Sequence, residues 1–195
     1  MTKILQVVGG PNGSGKTTFA ESYLKSIPDH PLFLNPDLIA SGFSFVNFER
    51  ASFQAGRILI HEVKSRLAAG ESISFESTLS GKTWFPILSR AKLDGYKIEL
   101  YFVMLKNMKK NFERIRSRVE SGGHNIPKSS VIRRHPRVFD NFWNLYRPLA
   151  DNWFIFDNSG SRPNLVLDNE AHAKLSLVQK SKFQAEFLKG RINGR

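Results

Sequence analysis

Short apolar runs rich in β-branched and aromatic residues alternate along the chain with segments whose apolar spacing suits helices. The five predicted strands are Ile4–Val8, Leu32–Leu34, Ile73–Phe75, Ile98–Leu105 and Trp153–Phe156. The predicted helices are Phe19–Ile27, Phe48–Leu67, Phe85–Leu93, Phe112–Val119 and a final amphipathic helix over about residues 169–189. This alternation predicts an α/β fold with a doubly wound, mostly parallel five-stranded sheet.

The length and the apolar pattern limit the kind of protein. A chain of 195 residues predicts a single domain over residues 1–195. No apolar run approaches the roughly 20 residues that cross a bilayer. The N-terminus enters a strand pattern without a signal peptide, so we expect a soluble, cytoplasmic protein with no membrane partner. The absence of cysteine excludes disulfides, thiolate metal sites and cysteine nucleophiles.

The strongest motif is a glycine-rich loop that follows the first predicted strand and precedes a predicted helix. It matches the P-loop pattern of two glycines separated by four residues and followed by Lys-Ser/Thr. The predicted nucleotide-binding residues are Gly10, Pro11, Asn12, Gly13, Ser14, Gly15, Lys16, Thr17 and Thr18. The strand, loop and helix order makes nucleotide binding a better interpretation than a glycine-rich turn that binds nothing.

The end of this loop predicts which groups hold phosphate and metal. Lys16 is expected to reach the β- and γ-phosphates of ATP and to be catalytic. Thr17 is expected to place its hydroxyl on Mg²⁺, whose other ligands are mostly water and phosphate oxygens. The motif therefore predicts a nucleoside triphosphate and Mg²⁺ as cofactors.

Two carboxylates follow predicted strands, at the sheet edge where open α/β sheets bind ligands. Asp37, in Asn35-Pro36-Asp37 after the second strand, is the candidate general base of a kinase. The alternative is that Asp37 only caps a helix. Glu76 closes the third strand and could hold a substrate hydroxyl or a water on Mg²⁺; the alternative is a solvated charge at the strand end.

The basic charge of the chain, +12 overall, is concentrated in one segment. Residues 106–137 contain ten Lys and Arg against two Asp and Glu, a net charge of +8. Two basic helical stretches flank a Gly-Gly-His loop, which predicts an arginine-rich helical lid over about residues 107–137 with a hinge at residues 122–127. Arg118, Arg133 and Arg134 are the candidates that stabilise the transferring phosphate. A solvated basic face or a nucleic-acid patch is the alternative.

The loop after the last predicted strand, Asp157-Asn158-Ser159, falls where P-loop kinases contact the base. Asn158 is therefore predicted to bind the nucleotide. A simple turn is the alternative interpretation.

In combination these motifs resemble the zeta-toxin family of P-loop kinases, in particular its short stand-alone bacterial members. The matching segments are GGPNGSGKTT, NPD, FESTLSG, GY with IELYFVML, RVESGGHNIP with IRR, and FDNSG. They cover roughly residues 1–160. The resemblance implies an ATP- and Mg²⁺-dependent kinase that phosphorylates the 3′-hydroxyl of the sugar of UDP-N-acetylglucosamine, and it raises an antitoxin protein as a partner.

The resemblance also implies residue roles. Asp37 would be the base, Glu76 and Thr78 would lie on the substrate side, and Arg118 with Arg133 or Arg134 would form the lid clamp. Arg57, on the long helix before the third strand, would contact the substrate; its alternative is a solvated helix charge.

Two other functions remain open from the residues alone. A P-loop ATPase or nucleic-acid-associated protein could use the basic segment to bind nucleic acid, although the segment has little aromatic interleaving and no RNA motif. A metabolic kinase for another hydroxyl substrate is equally compatible with the P-loop.

Overall fold

A computed structural model describes residues 2–28, 30–42, 48–122 and 126–190. The strands are β1 Ile4–Gly9, β2 Leu32–Leu34, β3 Ile73–Ser77, β4 Lys97–Met104, β5 Asn152–Asp157 and β6 Asn164–Asp168. The helices are α1 Lys16–Ser22, α2 Pro36–Ser41, α3 Phe48–Ala68, α4 Trp84–Leu93, α5 Met108–Glu120, α6 Lys128–Asn141, α7 Asn169–Ala173 and α8 Leu177–Leu188. Most of the predicted hinge, residues 123–125, lies outside the described residues.

The strands form one sheet in the order β2-β3-β1-β4-β5-β6. The first five strands of this order are parallel to their neighbours, and β6 is antiparallel to β5. The predicted α/β, mostly parallel sheet is therefore confirmed. The predicted number of five strands is wrong, because the sheet has six.

The sixth strand has a weak sequence signal because only Leu165, Val166 and Leu167 are apolar in it. Of these, Leu167 alone is buried, and Leu165 is 46% exposed. The strand forms because a short connection returns the chain beside β5, where Leu167 pairs with Ile155. An antiparallel neighbour needs only such a short turn, whereas the parallel strands need helical crossovers.

Alternating side chains of the central strands enter two separate apolar layers, as the two-residue period of a strand requires. In β1, Val7 belongs to the larger layer, which also contains buried residues of α3, α4, α6 and α8. Its neighbour Val8 belongs to the smaller layer, with Phe19 and Ala20 of α1. Both faces of the sheet are therefore covered, as in a doubly wound fold. No helix among the described residues is long and apolar enough to cross a membrane.

The predicted C-terminal helix over about residues 169–189 is two helices. Asp168 caps α7 by accepting a hydrogen bond from the Ala171 amide at 2.7 Å. Ser176 caps α8, and the Gln179 side-chain oxygen accepts a hydrogen bond from the Ser176 amide at 2.9 Å. This reciprocal capping box starts a new helix where apolar periodicity alone predicted a continuous one.

The end of α6 and the helical segment that follows it, Phe142–Tyr146, hold the loop that follows β3. The Asn141 amide donates to the Leu79 carbonyl at 2.9 Å, and the Tyr146 hydroxyl donates to the Gly81 carbonyl at 2.6 Å. Burial raises the pKa of Tyr146 to about 12, so its hydroxyl stays a donor at neutral pH. These two bonds fix the chain just beyond the strand that carries Glu76.

A half-buried histidine makes the stability of the fold depend on pH. His135 of α6 packs against Phe139 at 5.0 Å between ring centroids, and burial lowers its pKa below the ordinary value of about 6.5. The unfolded chain therefore takes up a proton at a higher pH than the folded chain does. Stability contributed by neutral His135 is lost as the pH falls below about 6.5.

We expect thermal unfolding midpoints measured between pH 7.5 and pH 5.5 to fall more for the parent protein than for His135→Gln. His61→Gln, a change at an exposed position of α3, is the control. An equal fall in the parent and in His135→Gln would contradict this assignment.

Candidate functional site

The glycine-rich loop adopts backbone conformations that only glycine takes without strain. Gly13 has φ 74° and Gly15 has φ 83°, both in the left-handed region. A Cβ atom at Gly13 would lie 2.5 Å from the Asn111 carbonyl oxygen, and one at Gly15 would lie 2.6 Å from the Asn158 amide nitrogen. Gly15 is also the N-cap of α1 and leaves the first amides of that helix without a side-chain cap. Free amides at a helix start are the groups that bind phosphate.

The nine nucleotide-binding residues predicted in the glycine-rich loop divide into two groups. Three of them form the base of the loop: Gly10 lies against the Val103 carbonyl of β4, Ser14 is fully buried, and Pro11 accepts a hydrogen bond from Lys16 Nζ at 3.1 Å. The other six line a cavity of about 1050 Å³, namely Asn12, Gly13, Gly15, Lys16, Thr17 and Thr18.

Most of the other predicted site residues also line this cavity. They are Asp37, Arg57, Glu76, Thr78, Arg118, Arg134 and Asn158. Pockets for one drug-sized ligand measure about 300–1000 Å³. A volume at the top of that range has room for more than one small molecule beside the phosphate loop.

A buried polar cluster lies where β1 and β3 end. The Glu76 carboxylate is 3.6 Å from Lys16 Nζ and accepts a hydrogen bond from the Thr17 hydroxyl at 2.7 Å. The amide of Asn35 donates to the Thr17 oxygen at 3.2 Å and to Glu76 at 3.4 Å. Glu76 is only 8% exposed. It is therefore not the solvated strand-end charge that was the alternative interpretation.

The same cluster fits a magnesium ion. Mg²⁺ prefers oxygen ligands and keeps several waters, so it needs few protein groups. The Thr17 hydroxyl and the buried Glu76 carboxylate supply such oxygens within 2.7 Å of each other. Thr17 would hold the ion directly, and Glu76 is placed to hold it or one of its waters.

Asp37 is not the N-cap of α2. Asn35 caps this helix, because its side-chain oxygen accepts a hydrogen bond from the Asp37 amide at 2.7 Å. Asp37 lies in the first turn, where its negative charge is favourable near the helix start. Its carboxylate is 3.5 Å from an Arg118 nitrogen of α5, so the two side chains meet across the cavity.

The predicted lid arginines are not equivalent. Arg118 and Arg134 line the cavity, whereas Arg133 is exposed and is not among the lining residues. On the opposite elements, Arg57 lines the cavity from α3, and Thr78 lines it from the loop after β3. The Thr78 hydroxyl is 2.9 Å from that of Ser80.

Arg114 connects three segments of the nucleotide side, a role the motifs do not reveal. Its guanidinium donates to the Ser14 carbonyl at 3.4 Å and to the Asn158 carbonyl at 2.7 Å. The Asn158 side chain itself donates to the Ser14 carbonyl at 2.9 Å. Helix α5, the glycine loop and the loop after β5 are thus tied together. The sequence signal for Arg114 is its four-residue spacing to Arg118, which places both arginines on one helix face.

Asn111 adds a second link between α5 and the glycine loop. Its side-chain amide donates to the Asn12 carbonyl at 2.8 Å, and it is only 1% exposed. Nothing in the local sequence distinguishes this asparagine from a surface residue. Only the approach of α5 to the loop gives it a partner.

The fold is that of a P-loop kinase. It has a mostly parallel sheet and a glycine-rich loop after β1. A lysine and a threonine of this loop meet a buried carboxylate, and arginines lie on the facing helices. Residues 1–163 match the family model described as Zeta toxin. The chain therefore belongs to the Zeta toxin family, and the resemblance in the motifs is confirmed. An uncharacterized protein of Haemophilus influenzae is 30% identical over 126 residues, which cover 65% of this chain and 88% of that relative.

Solved structures have the same fold. A structure of the PezAT chromosomal toxin–antitoxin system of Streptococcus pneumoniae has a TM-score of 0.67 and 15% identity, covering 96% of this chain and 86% of that chain. The AvrRxo1-ORF1:ORF2 structure with ATP has a TM-score of 0.69 and 17% identity, covering 100% and 66%. Chaetomium thermophilum Kti12 in complex with ADP-AlF3 has a TM-score of 0.51 and 14% identity, covering 97% and 100%. At these identities the likeness concerns the fold.

We expect Gly13→Ala to weaken nucleotide binding, because a Cβ there meets the Asn111 carbonyl in addition to the cost of a left-handed backbone. That backbone cost is about 1–2 kcal/mol. The measurement is the rise in unfolding midpoint on adding Mg-ATP, which depends on nucleotide affinity.

Gly95→Ala is the matched control, since Gly95 has φ 82° and no atom within 4 Å of a Cβ position. It should lose similar stability but keep the full rise with Mg-ATP. An undiminished rise in Gly13→Ala would show that the contact with α5 does not shape the loop.

Proposed function

We propose that the protein is an ATP- and Mg²⁺-dependent kinase that transfers the γ-phosphate to a hydroxyl group of a small molecule. The observation that carries the proposal is the 3.5 Å approach of Asp37 to Arg118 inside the cavity that the phosphate loop lines. A base for the acceptor hydroxyl and a cation for the transferring phosphate are the two groups that a kinase adds to a P-loop. We place Asp37 and Arg118 on the acceptor side of this loop.

In the proposed reaction Asp37 accepts the proton of the acceptor hydroxyl. The hydroxyl oxygen then forms a bond to the γ-phosphorus while the bond from that phosphorus to the bridging oxygen breaks, and ADP leaves. Lys16 neutralises the β- and γ-phosphate oxygens. Arg118 and Arg134 stabilise the charge that spreads over the transferring group. A bound Mg²⁺ would neutralise further phosphate charge.

These roles require the cations of the site to exchange partners. Lys16 contacts Glu76 and the Pro11 carbonyl, and Arg118 contacts Asp37. Phosphate oxygens would replace Glu76 and Asp37 as the partners of the two cations. Asp37 would then be released to accept a proton from the acceptor.

We further propose a UDP-amino sugar such as UDP-N-acetylglucosamine as the acceptor. The membership in the Zeta toxin family supports this choice. The cavity supports it through its volume of about 1050 Å³ and through Arg57, which lines it in addition to Arg114, Arg118 and Arg134. A further cation suits an acceptor that itself carries phosphates.

An antitoxin protein is a proposed partner. The similar structures include the PezAT toxin–antitoxin system and the AvrRxo1-ORF1:ORF2 complex, which supports a protein that binds this fold. The nucleic-acid alternative receives less support, because Arg114, Arg118 and Arg134 line the cavity instead of forming an outer basic surface.

We expect Asp37→Asn to lower the rate of phosphate transfer to UDP-N-acetylglucosamine by about 10²- to 10⁴-fold, the usual contribution of general-base catalysis. The product is measured by its increase in mass. ATP affinity should change little, since the asparagine retains the shape of the side chain.

Asp94→Asn, a change at the exposed end of α4 where Asp94 pairs with Arg90, is the matched control. It should transfer phosphate at the parental rate. Parental activity in Asp37→Asn would remove Asp37 as the base.

A further inference from the structure

One face of α3 lines the cavity. Phe53, Gly56, Arg57 and Ile60 all belong to the lining, at positions i, i+3, i+4 and i+7. This spacing places them on one stripe of the helix. Within about two turns the stripe carries the phenyl ring of Phe53, the position of Gly56 without a side chain, and the guanidinium of Arg57.

Among the described residues, none packs closely against Gly56. A glycine inside a helix destabilises it relative to alanine, and close approach of another segment is the usual reason to keep one. Here a Cβ atom would find no atom of residues 2–28, 30–42, 48–122 or 126–190 within 4 Å. The space next to Gly56 belongs to the cavity, so the missing side chain enlarges the volume available to a ligand.

Phe53 is unusual in its exposure. Its side chain is 70% exposed although it lines the cavity. A flat apolar ring at this position can pack against a ring of a ligand. Arg57 lies one turn further along the same stripe, where it can pair with an anionic group of the same ligand.

We propose that Phe53 and Gly56, together with Arg57, form the surface of α3 that selects the acceptor. Phe53 packs against a ring of the acceptor, Gly56 leaves room for it, and Arg57 pairs with an adjacent phosphate. The new element is the pair Phe53 and Gly56, which would decide how well the acceptor proposed above is bound. This inference rests on the proposed kinase function.

The test is steady-state kinetics with UDP-N-acetylglucosamine and with N-acetylglucosamine 1-phosphate, which keeps the sugar and a phosphate but has no ring base. We expect Phe53→Ala to raise the KM for the full nucleotide sugar about 10-fold, because stacking on an aromatic ring contributes at this order. Phe53→Tyr should stay near the parent. The truncated acceptor should be used equally well by Phe53→Ala and by the parent.

The second pair of variants concerns the gap. Gly56→Leu should raise the KM for the nucleotide sugar at least about 10-fold and leave the KM for ATP within about twofold, since the leucine fills acceptor space only. Gly56→Ala should raise the unfolding midpoint by roughly 2–4 °C while weakening acceptor use more mildly. A stabilised protein with poorer acceptor binding is not the result of structural damage.

Ile58→Ala is the control on the same helix, because Ile58 is 44% exposed and is not part of the cavity lining. It should reproduce the parental constants. If the parent phosphorylates an acceptor and both Phe53→Ala and Gly56→Leu keep the parental KM, only this inference fails. If the parent transfers phosphate to no hydroxyl compound, including those of a metabolite extract, the proposed function fails and the inference with it.

Discussion

The structure depends on one buried pair of opposite charges, Lys16 and Glu76. Both side chains are at most 10% exposed, and they lie 3.6 Å apart. Removing one partner of such a pair leaves the other charged and buried, which typically costs about 3–5 kcal/mol. The pair can form only because β1 and β3 are neighbours in register, with Val8 beside Glu76 in the strands. The contact between the phosphate loop and its carboxylate therefore depends on the pairing of β1 with β3, and neither segment forms it alone.

The same edge of the sheet collects the remaining chemistry. Asn35 caps the helix that carries Asp37 and also reaches the Thr17 hydroxyl, so one side chain orients two of the predicted site residues. Across the cavity, α5 is bound to the glycine loop through Asn111 and Arg114. The first helix of the predicted lid is thus held against the glycine loop. Three of the ten basic side chains of residues 106–137, namely Arg114, Arg118 and Arg134, line the cavity.

Segments with a strong local signal were predicted well from the sequence. The glycine loop, the five parallel strands and the carboxylates at strand ends follow from patterns that extend over a few residues. The sixth strand and the break before Ser176 were missed, because each depends on a short antiparallel return or a side-chain cap that apolar periodicity does not show. Arg118 was a predicted site residue and Arg114 was not, although the two share a helix face. Their difference lies in what each guanidinium contacts.

The sequence by itself determined the class of fold, the phosphate loop and the residue types of the site. It also placed the excess of positive charge in one segment. The tertiary structure decided which of those residues meet: it buried Glu76 against Lys16, assigned the cap of α2 to Asn35 instead of Asp37, and put Arg134 but not Arg133 into the cavity lining. The physical reason is distance along the chain. The pattern of residues that are close in the sequence indicates local conformation. Contacts between residues tens of positions apart form only after the strands have paired and the helices have packed on them.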